Sequence, residues 1–98
     1  MRALNETEKM NLRTLEEVLL AYVPPERFCL DGKETNGRMC LEEGGGQWIV
    51  FFRDGPLIED VTTHSTLIKA ALQLLRNVAP YPGADEQMQS EFLRRTVQ

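Results

Sequence analysis

The stretch Arg38-Met-Cys-Leu-Glu-Glu-Gly-Gly-Gly-Gln-Trp-Ile-Val-Phe-Phe-Arg-Asp-Gly-Pro56 decides the fold of this chain. All five residues from Trp48 to Phe52 are aromatic or β-branched, which favours a strand over a helix. Their side chains alternate between two faces, and both sets are apolar, so we expect neighbouring structure on both sides of this strand. The sequence therefore predicts that Gln47 to Arg53 is the central strand of a sheet.

The segments on either side of this strand read as further strands joined by tight turns. Arg38 to Glu43 alternates between the two faces, and Gly44-Gly45-Gly46 is the predicted hairpin loop. Asp54-Gly55 is a strong turn signal, and Pro56 has no backbone donor, so the chain is expected to reverse there. A weaker strand is predicted from Leu57 to Val61.

Segments with helical periodicity precede and follow these strands in the sequence. An apolar stripe predicts a first helix from Glu6 to Tyr22, with Asn5 and Glu8 as a capping pair. A second, clearer stripe predicts a helix from Ser65 to Val78.

Three shorter features complete the prediction. Asp85 is the expected cap of a last short helix. Arg27 to Leu30 is a candidate for a short strand. Turn residues at Asp31-Gly32 and Asn36-Gly37 bracket a polar loop after it.

The predicted order of elements is α-β-β-β-(β)-α-α. It suits an α+β fold, in which a three- to four-stranded antiparallel meander carries helices packed on one face. With 98 residues, 42% of them hydrophobic, the chain is expected to form a single domain over residues 1–98.

Charge and hydropathy exclude several classes of function. The formal net charge of −4 argues against a nucleic-acid binder, because neutralising phosphates requires a basic surface. No apolar run approaches the roughly 20 residues of a membrane helix, and the N-terminal residues lack the apolar region of a signal peptide. We therefore expect a cytoplasmic protein that binds neither nucleic acid nor membrane.

The residue pattern predicts no catalytic site, no metal and no cofactor. The single histidine, His64, stands beside candidate helix caps, where a lone imidazole is more often a surface residue than a catalyst. No cluster has the spacing of zinc ligands. Cys29 and Cys40 do not form a C-x-x-C pair, and a location on neighbouring strands would not by itself predict a disulfide.

Three short motifs resemble those of a family of small bacterial immunity proteins. The family has a "Tyr-x-Leu-x-Gly" turn, a "Cys-Leu" strand and a "Trp-x-Val-x-Tyr-x-Glu-Arg-Gly" strand and turn. The corresponding segments here are Phe28-Cys29-Leu30-Asp31-Gly32, Cys40-Leu41 and Trp48-Ile49-Val50-Phe51-Phe52-Arg53-Asp54-Gly55. The likeness covers roughly Leu15 to Val78. It departs from the family at Arg53-Asp54, where Glu-Arg is usual, and at Val61, where an aromatic residue is usual.

This resemblance implies a non-catalytic protein that binds a cognate bacterial toxin and neutralises it by occluding the toxin's active site. Such proteins are encoded beside polymorphic or secreted toxins, and some look like partners of NAD-glycohydrolase toxins of the tuberculosis-necrotizing-toxin type. The expected partner is therefore a toxin or effector protein. The alternative is a non-catalytic adaptor or chaperone-like accessory protein for a secreted protein.

Charged residues near the hairpin turns form the candidate binding surface. Hairpins on a rigid sheet can project into a cleft, and acidic side chains there can imitate an anionic substrate such as NAD. The alternative interpretation is a solvated rim that maintains solubility. The candidate residues are Glu42, Glu43, Arg53, Asp54, Glu59 and Asp60. The next candidate surface is the exposed side of the first helix, around Arg13, Glu16 and Glu17.

Overall fold

The computed structural model describes residues 3–30 and 36–96, and it has an α+β architecture. Within these residues the helices are α1 (Glu6–Tyr22), α2 (Leu67–Val78) and α3 (Ala84–Arg95), with a 3-10 turn at Pro25–Arg27. The strands are β1 (Phe28–Cys29), β2 (Met39–Gly44), β3 (Gln47–Asp54) and β4 (Leu57–His64). The predicted order of elements is confirmed, and the fourth strand is present.

Strand β3 has neighbours on both sides, as its two apolar faces predicted. The sheet order is β1-β2-β3-β4, and β3 is antiparallel to both β2 and β4. Both connections are two-residue turns. Gly45 (φ 62°) and Gly46 (φ 83°) supply the two positive φ values of a type I′ turn, and Gly55 (φ 60°) precedes Pro56 as in a type II′ turn.

The predicted all-antiparallel meander is wrong at one edge. Strand β1 pairs with β2 in parallel, with Phe28 opposite Met39 and Cys29 opposite Cys40, so the sheet is mixed. Nine residues separate Cys29 from Met39, so this connection is longer than the two-residue turn that joins adjacent antiparallel strands. The turn predicted at Asp31-Gly32 lies outside the described residues.

The apolar side chains of the sheet divide between two faces. Met39, Leu41, Trp48 and Val50 join side chains of all three helices in one large buried cluster, so the helices pack on one face, as predicted. On the other face a smaller cluster contains Cys29, Cys40 and Phe51, with Ile49 packed against it. The two cysteines are therefore register partners on adjacent strands.

The helix ends follow local hydrogen bonding. Asn5 caps α1 as predicted: its Oδ1 accepts from the Glu8 N–H at 2.8 Å, and its own N–H donates to Glu8 Oε1 at 3.1 Å. Helix α2 begins at Leu67 rather than Ser65, because β4 continues to His64 and Thr66 is the cap. Gly83, at φ 90°, precedes α3 in place of the predicted Asp85 cap.

Candidate functional site

Strand pairing places the six candidate residues in two groups at opposite ends of β3. Glu42 and Glu43 lie beside Ile49 and Trp48, near the β2–β3 hairpin. The second group lies at the β3–β4 hairpin and contains Arg53, Asp54, Glu59 and Asp60. Glu42 lies opposite Ile49 and Glu59 lies opposite Phe52, so three residue steps, or about 10 Å along an extended strand, separate these two residues. They also stand on β2 and β4, on the two sides of β3, so the two groups occupy different parts of the sheet.

The first group is divided further by the pleat of β2. Glu42 and Glu43 are successive strand residues, so their side chains point to opposite faces. Glu43 also supports the hairpin, because its Oε2 accepts a hydrogen bond from the Gly46 N–H at 3.1 Å. This contact gives Glu43 a role in the fold.

Hydrogen bonds to the segment before β2 hold the backbone of the second group in place. Arg53 donates its N–H to the Arg38 carbonyl at 3.0 Å, and the Arg53 carbonyl accepts from the Gly37 N–H at 2.8 Å. The side-chain oxygen of Asn36 accepts a hydrogen bond from the Gly55 N–H, which fixes the turn itself. The β3–β4 hairpin is thus tied to the segment that enters β2.

Three carboxylates gather at this hairpin, and we call Asp54, Glu59 and Asp60 the acidic tip. Because Asp54 pairs with Leu57 and Phe52 pairs with Glu59, Asp54 and Glu59 are diagonal neighbours on one face of the sheet. A hydrogen bond with the Asp54 side chain raises the pKa of Glu59, and partial loss of hydration and the negative charges of Asp54 and Asp60 raise it further. The acidic tip concentrates negative charge where a cationic group would be stabilised.

Replacing Glu59 by glutamine tests whether the neighbouring carboxylates of the acidic tip destabilise one another. The raised pKa means that the folded state holds the Glu59 proton more tightly than the unfolded state does. This contribution to stability is therefore present below the ordinary glutamate pKa of about 4.3, and it is lost as the pH rises through the higher folded value. We expect Glu59→Gln to raise Tm slightly at pH 7, with a difference from wild type that shrinks as the pH approaches 4.

Thermal unfolding followed by circular dichroism at both pH values measures this difference. Glu16→Gln makes the same chemical change on the exposed side of α1 and controls for the loss of one negative charge. A Glu59→Gln protein with a lower Tm than wild type at pH 7 would show that repulsion between the carboxylates of the acidic tip does not destabilise the fold.

Exposed apolar side chains adjoin the acidic tip along β4. The exposed fractions are 60% for Leu57, 50% for Ile58 and 53% for Val61. Large apolar residues at such exposure, rimmed by charge, resemble the composition of a protein interface. The sequence had predicted only a weak strand here. The sequence does not reveal that β4 is the uncovered edge strand. These residues were therefore not predicted as site candidates.

A cleft of about 360 Å³ lies between β4 and α2, next to the acidic tip. Its lining includes two apolar residues, a carboxylate, a hydroxyl and two side-chain amides: Met39, Val61, Asp60, Thr62, Gln73 and Asn77. Gln73 Nε2 donates to Asn77 Oδ1 at 2.8 Å, and Asn77 Nδ2 lies 3.6 Å from Met39 Sδ, which orders the α2 side of the cleft. An apolar stem with a cationic end, as in lysine or arginine, matches this lining.

His64 lies at the other end of β4, paired with Trp48. Its Nε2 is 2.9 Å from Thr62 Oγ1. Burial lowers the pKa of His64, and the positive charge of Lys69 lowers it further. Across residues 3–30 and 36–96, no three His, Cys, Asp or Glu side chains group in a way that could hold a metal ion.

The alternative surface on α1 is partly engaged within the fold. Glu17 forms an ion pair with Arg95, which joins α1 to α3. A second cleft, of about 300 Å³, lies beside α1 and includes Glu16, Leu20, Pro25, Phe28, Leu30 and Arg38 in its lining. Glu16 is therefore the acidic residue of this surface that lies next to a concave site.

Comparison with models of protein families, with curated proteins and with solved structures gives no match to this chain. The resemblance to immunity proteins thus remains a prediction from short motifs. In the part of the chain that the structure describes, no helix combines the length and the apolar character needed to cross a membrane.

Proposed function

We propose that this protein is an immunity protein that binds a cognate bacterial toxin and neutralises it by occluding the toxin's active site. The observation that supports the proposal best is the acidic tip beside exposed Leu57, Ile58 and Val61. Apolar contact area next to a charged rim is the usual arrangement of a protein-binding surface. The rigid hairpin that carries it is suited to entering a cleft.

The charge of the acidic tip indicates the kind of toxin site that it fits. An enzyme that handles an anionic substrate such as NAD presents positive potential at its active site. Asp54, Glu59 and Asp60 would meet that potential with the charge of the substrate, which accelerates association and favours the correct partner. An NAD-degrading effector is therefore the proposed class of toxin.

Reversing one charge of the acidic tip tests the proposed surface. Glu59→Lys should slow association with the purified toxin from the neighbouring gene by about tenfold at low salt, since rim charges act mainly on the association rate. The difference should shrink at higher ionic strength, because the Debye length falls from about 10 Å at 0.1 M to about 3 Å at 1 M. Stopped-flow fluorescence measures the rate, and growth of cells that express the toxin measures protection.

Glu42→Lys is the matched control, because it makes the same change in the same sheet on β2, which β3 separates from β4. It should associate at nearly the wild-type rate. If neither variant changes rate or affinity, the acidic tip is not the interface, and the cleft beside Glu16 is the next candidate. Tip-dependent binding to a secreted protein, without any protection from a toxin, would favour the adaptor or chaperone-like alternative.

A further inference from the structure

Strand β4 leaves one edge of the sheet open. It is the last strand in the sheet order, and in the described residues its only strand neighbour is β3. Such an edge presents unpaired N–H and C=O groups, which can template the addition of another strand. The positions of the outward-facing groups follow from the hydrogen bonds of β3.

The backbone hydrogen bonds of Arg53 determine which residues of β4 direct their N–H and C=O groups to the open edge. Its N–H and carbonyl both bond to the segment that enters β2, at Arg38 and Gly37, so they face away from β4. Ile58, the partner of Arg53 across the β3–β4 ladder, therefore lies in a non-hydrogen-bonded pair and directs its own N–H and C=O to the open edge. Four residues back along β3, Ile49 has the same orientation, and its partner Thr63 likewise faces outward.

The exposed apolar residues also indicate edge addition rather than docking onto one face of the sheet. Leu57 and Ile58 are successive strand residues, so they point to opposite faces, yet both are at least half exposed. A partner lying on one face would cover only one of them. A strand added beside β4 would place side chains next to both.

We propose that the open edge of β4 accepts an extended, basic segment of the partner protein as a fifth strand. This inference deepens the proposed function, on which it rests, by naming the mode of recognition. Backbone bonds would form at Ile58 and Thr63, and apolar side chains of the added strand would cover Leu57 and Ile58. A lysine or arginine would enter the cleft at Asp60.

Charge complementarity selects this occupant over a second copy of the chain. The acidic tip lies at the start of β4, and the whole chain carries a formal charge of −4, so a basic segment is attracted and an identical acidic chain is repelled. The irregular pairing opposite Val50 to Phe52, with Asp60 at φ 54°, also interrupts the edge. In an antiparallel pair of two copies both edges would carry this bulge, whereas a partner segment would have to match only one bulged edge.

A designed peptide tests the edge directly. The probe is the basic octapeptide Lys-Val-Val-Lys-Lys-Val-Val-Lys, which places valines on both faces of an added strand; it is blocked at both ends and added to the ¹⁵N-labelled protein. We expect amide shift changes concentrated in Leu57–His64 and slower hydrogen exchange there. The same peptide with N-methylated valine amides should bind at least about tenfold more weakly, since these amides can no longer donate hydrogen bonds to β4. A glutamate–valine octapeptide should also bind more weakly.

Thr63→Pro and Thr63→Ala form the matched pair of variants. Thr63→Pro removes an outward N–H without breaking a bond to β3, so the fold should persist and peptide binding should fall. Thr63→Ala keeps that N–H and should bind as wild type does. If Thr63→Pro does not fold, the N-methylated peptide makes the same test on the unaltered protein.

The outcomes separate this inference from the proposed function. Equal binding of the methylated peptide, or shift changes away from β4, would overturn strand addition. So would a concentration-dependent dimer that Thr63→Pro abolishes. Wild-type toxin affinity in folded Thr63→Pro, together with slower toxin association in Glu59→Lys, would overturn strand addition and leave the immunity function standing. Peptide addition at β4 without any toxin binding would support strand addition at the open edge and overturn the immunity function.

Discussion

Val50→Asp is expected to unfold the protein. Val50 is fully buried at the centre of β3, between Leu41 on β2 and Thr62 on β4, and it belongs to the main apolar cluster. A carboxylate at this position would lose its hydration without gaining a partner, which costs several kcal/mol. Since small domains are stable by only about 5–15 kcal/mol, this cost removes most or all of the folded population.

Circular dichroism and thermal melting measure this loss. Val61→Asp is the control, because it makes the same chemical change in the same sheet at a side chain that is 53% exposed. Its Tm should fall far less than that of Val50→Asp, and only through the repulsion that the new carboxylate meets from Asp60 and Glu59. A well-folded Val50→Asp protein with unchanged Tm would disprove the central position of β3.

The features predicted correctly from the sequence are those set by local patterns. The doubly apolar run around Val50 specified a strand with two neighbours, and the glycines at 45, 46 and 55 specified tight turns. The residues from Glu6 to Tyr22 specified a helix with both ends in place, because Asn5 begins it and Pro24-Pro25 cannot continue it.

The parts that the sequence did not predict depend on contacts between distant segments. Whether Phe28-Cys29 runs parallel or antiparallel to β2 depends on pairing between two segments that are about ten residues apart, and no local pattern encodes that pairing. Strand β4 extends past Val61 to His64 because β3 offers Ile49 and Trp48 as pairing partners. The sequence at 62–65 by itself read as a helix start.

The grouping of residues in the candidate site also depends on contacts between distant segments. The acidic residues were visible in the sequence as charged positions near turns, but their grouping depends on register. Asp54 and Glu59 meet because of a two-residue turn, whereas Glu42 lies opposite Ile49 on the other side of β3. The exposure of Ile58 was not predictable, since a β-branched residue in a strand is ordinarily assigned to a core.

Phe92→Ala is expected to destabilise the protein strongly and so to test the role of the last helix. Phe92 is fully buried and lies in the main cluster with Met88 of α3 and with residues of α1 and α2. Removing a buried phenylalanine side chain costs about 3–5 kcal/mol, through lost burial and the cavity that remains. For a domain of about 100 residues this predicts a fall in Tm of more than about 10 °C.

Leu93→Ala is the matched control, because Leu93 is the next residue of α3 and is 41% exposed. It should cost much less, since little apolar surface returns to water and no closed cavity forms. Urea unfolding of both variants gives the two free energies, and an unchanged slope with urea shows that the same surface unfolds. Equal losses for the two variants would mean that α3 does not seal the core through Phe92.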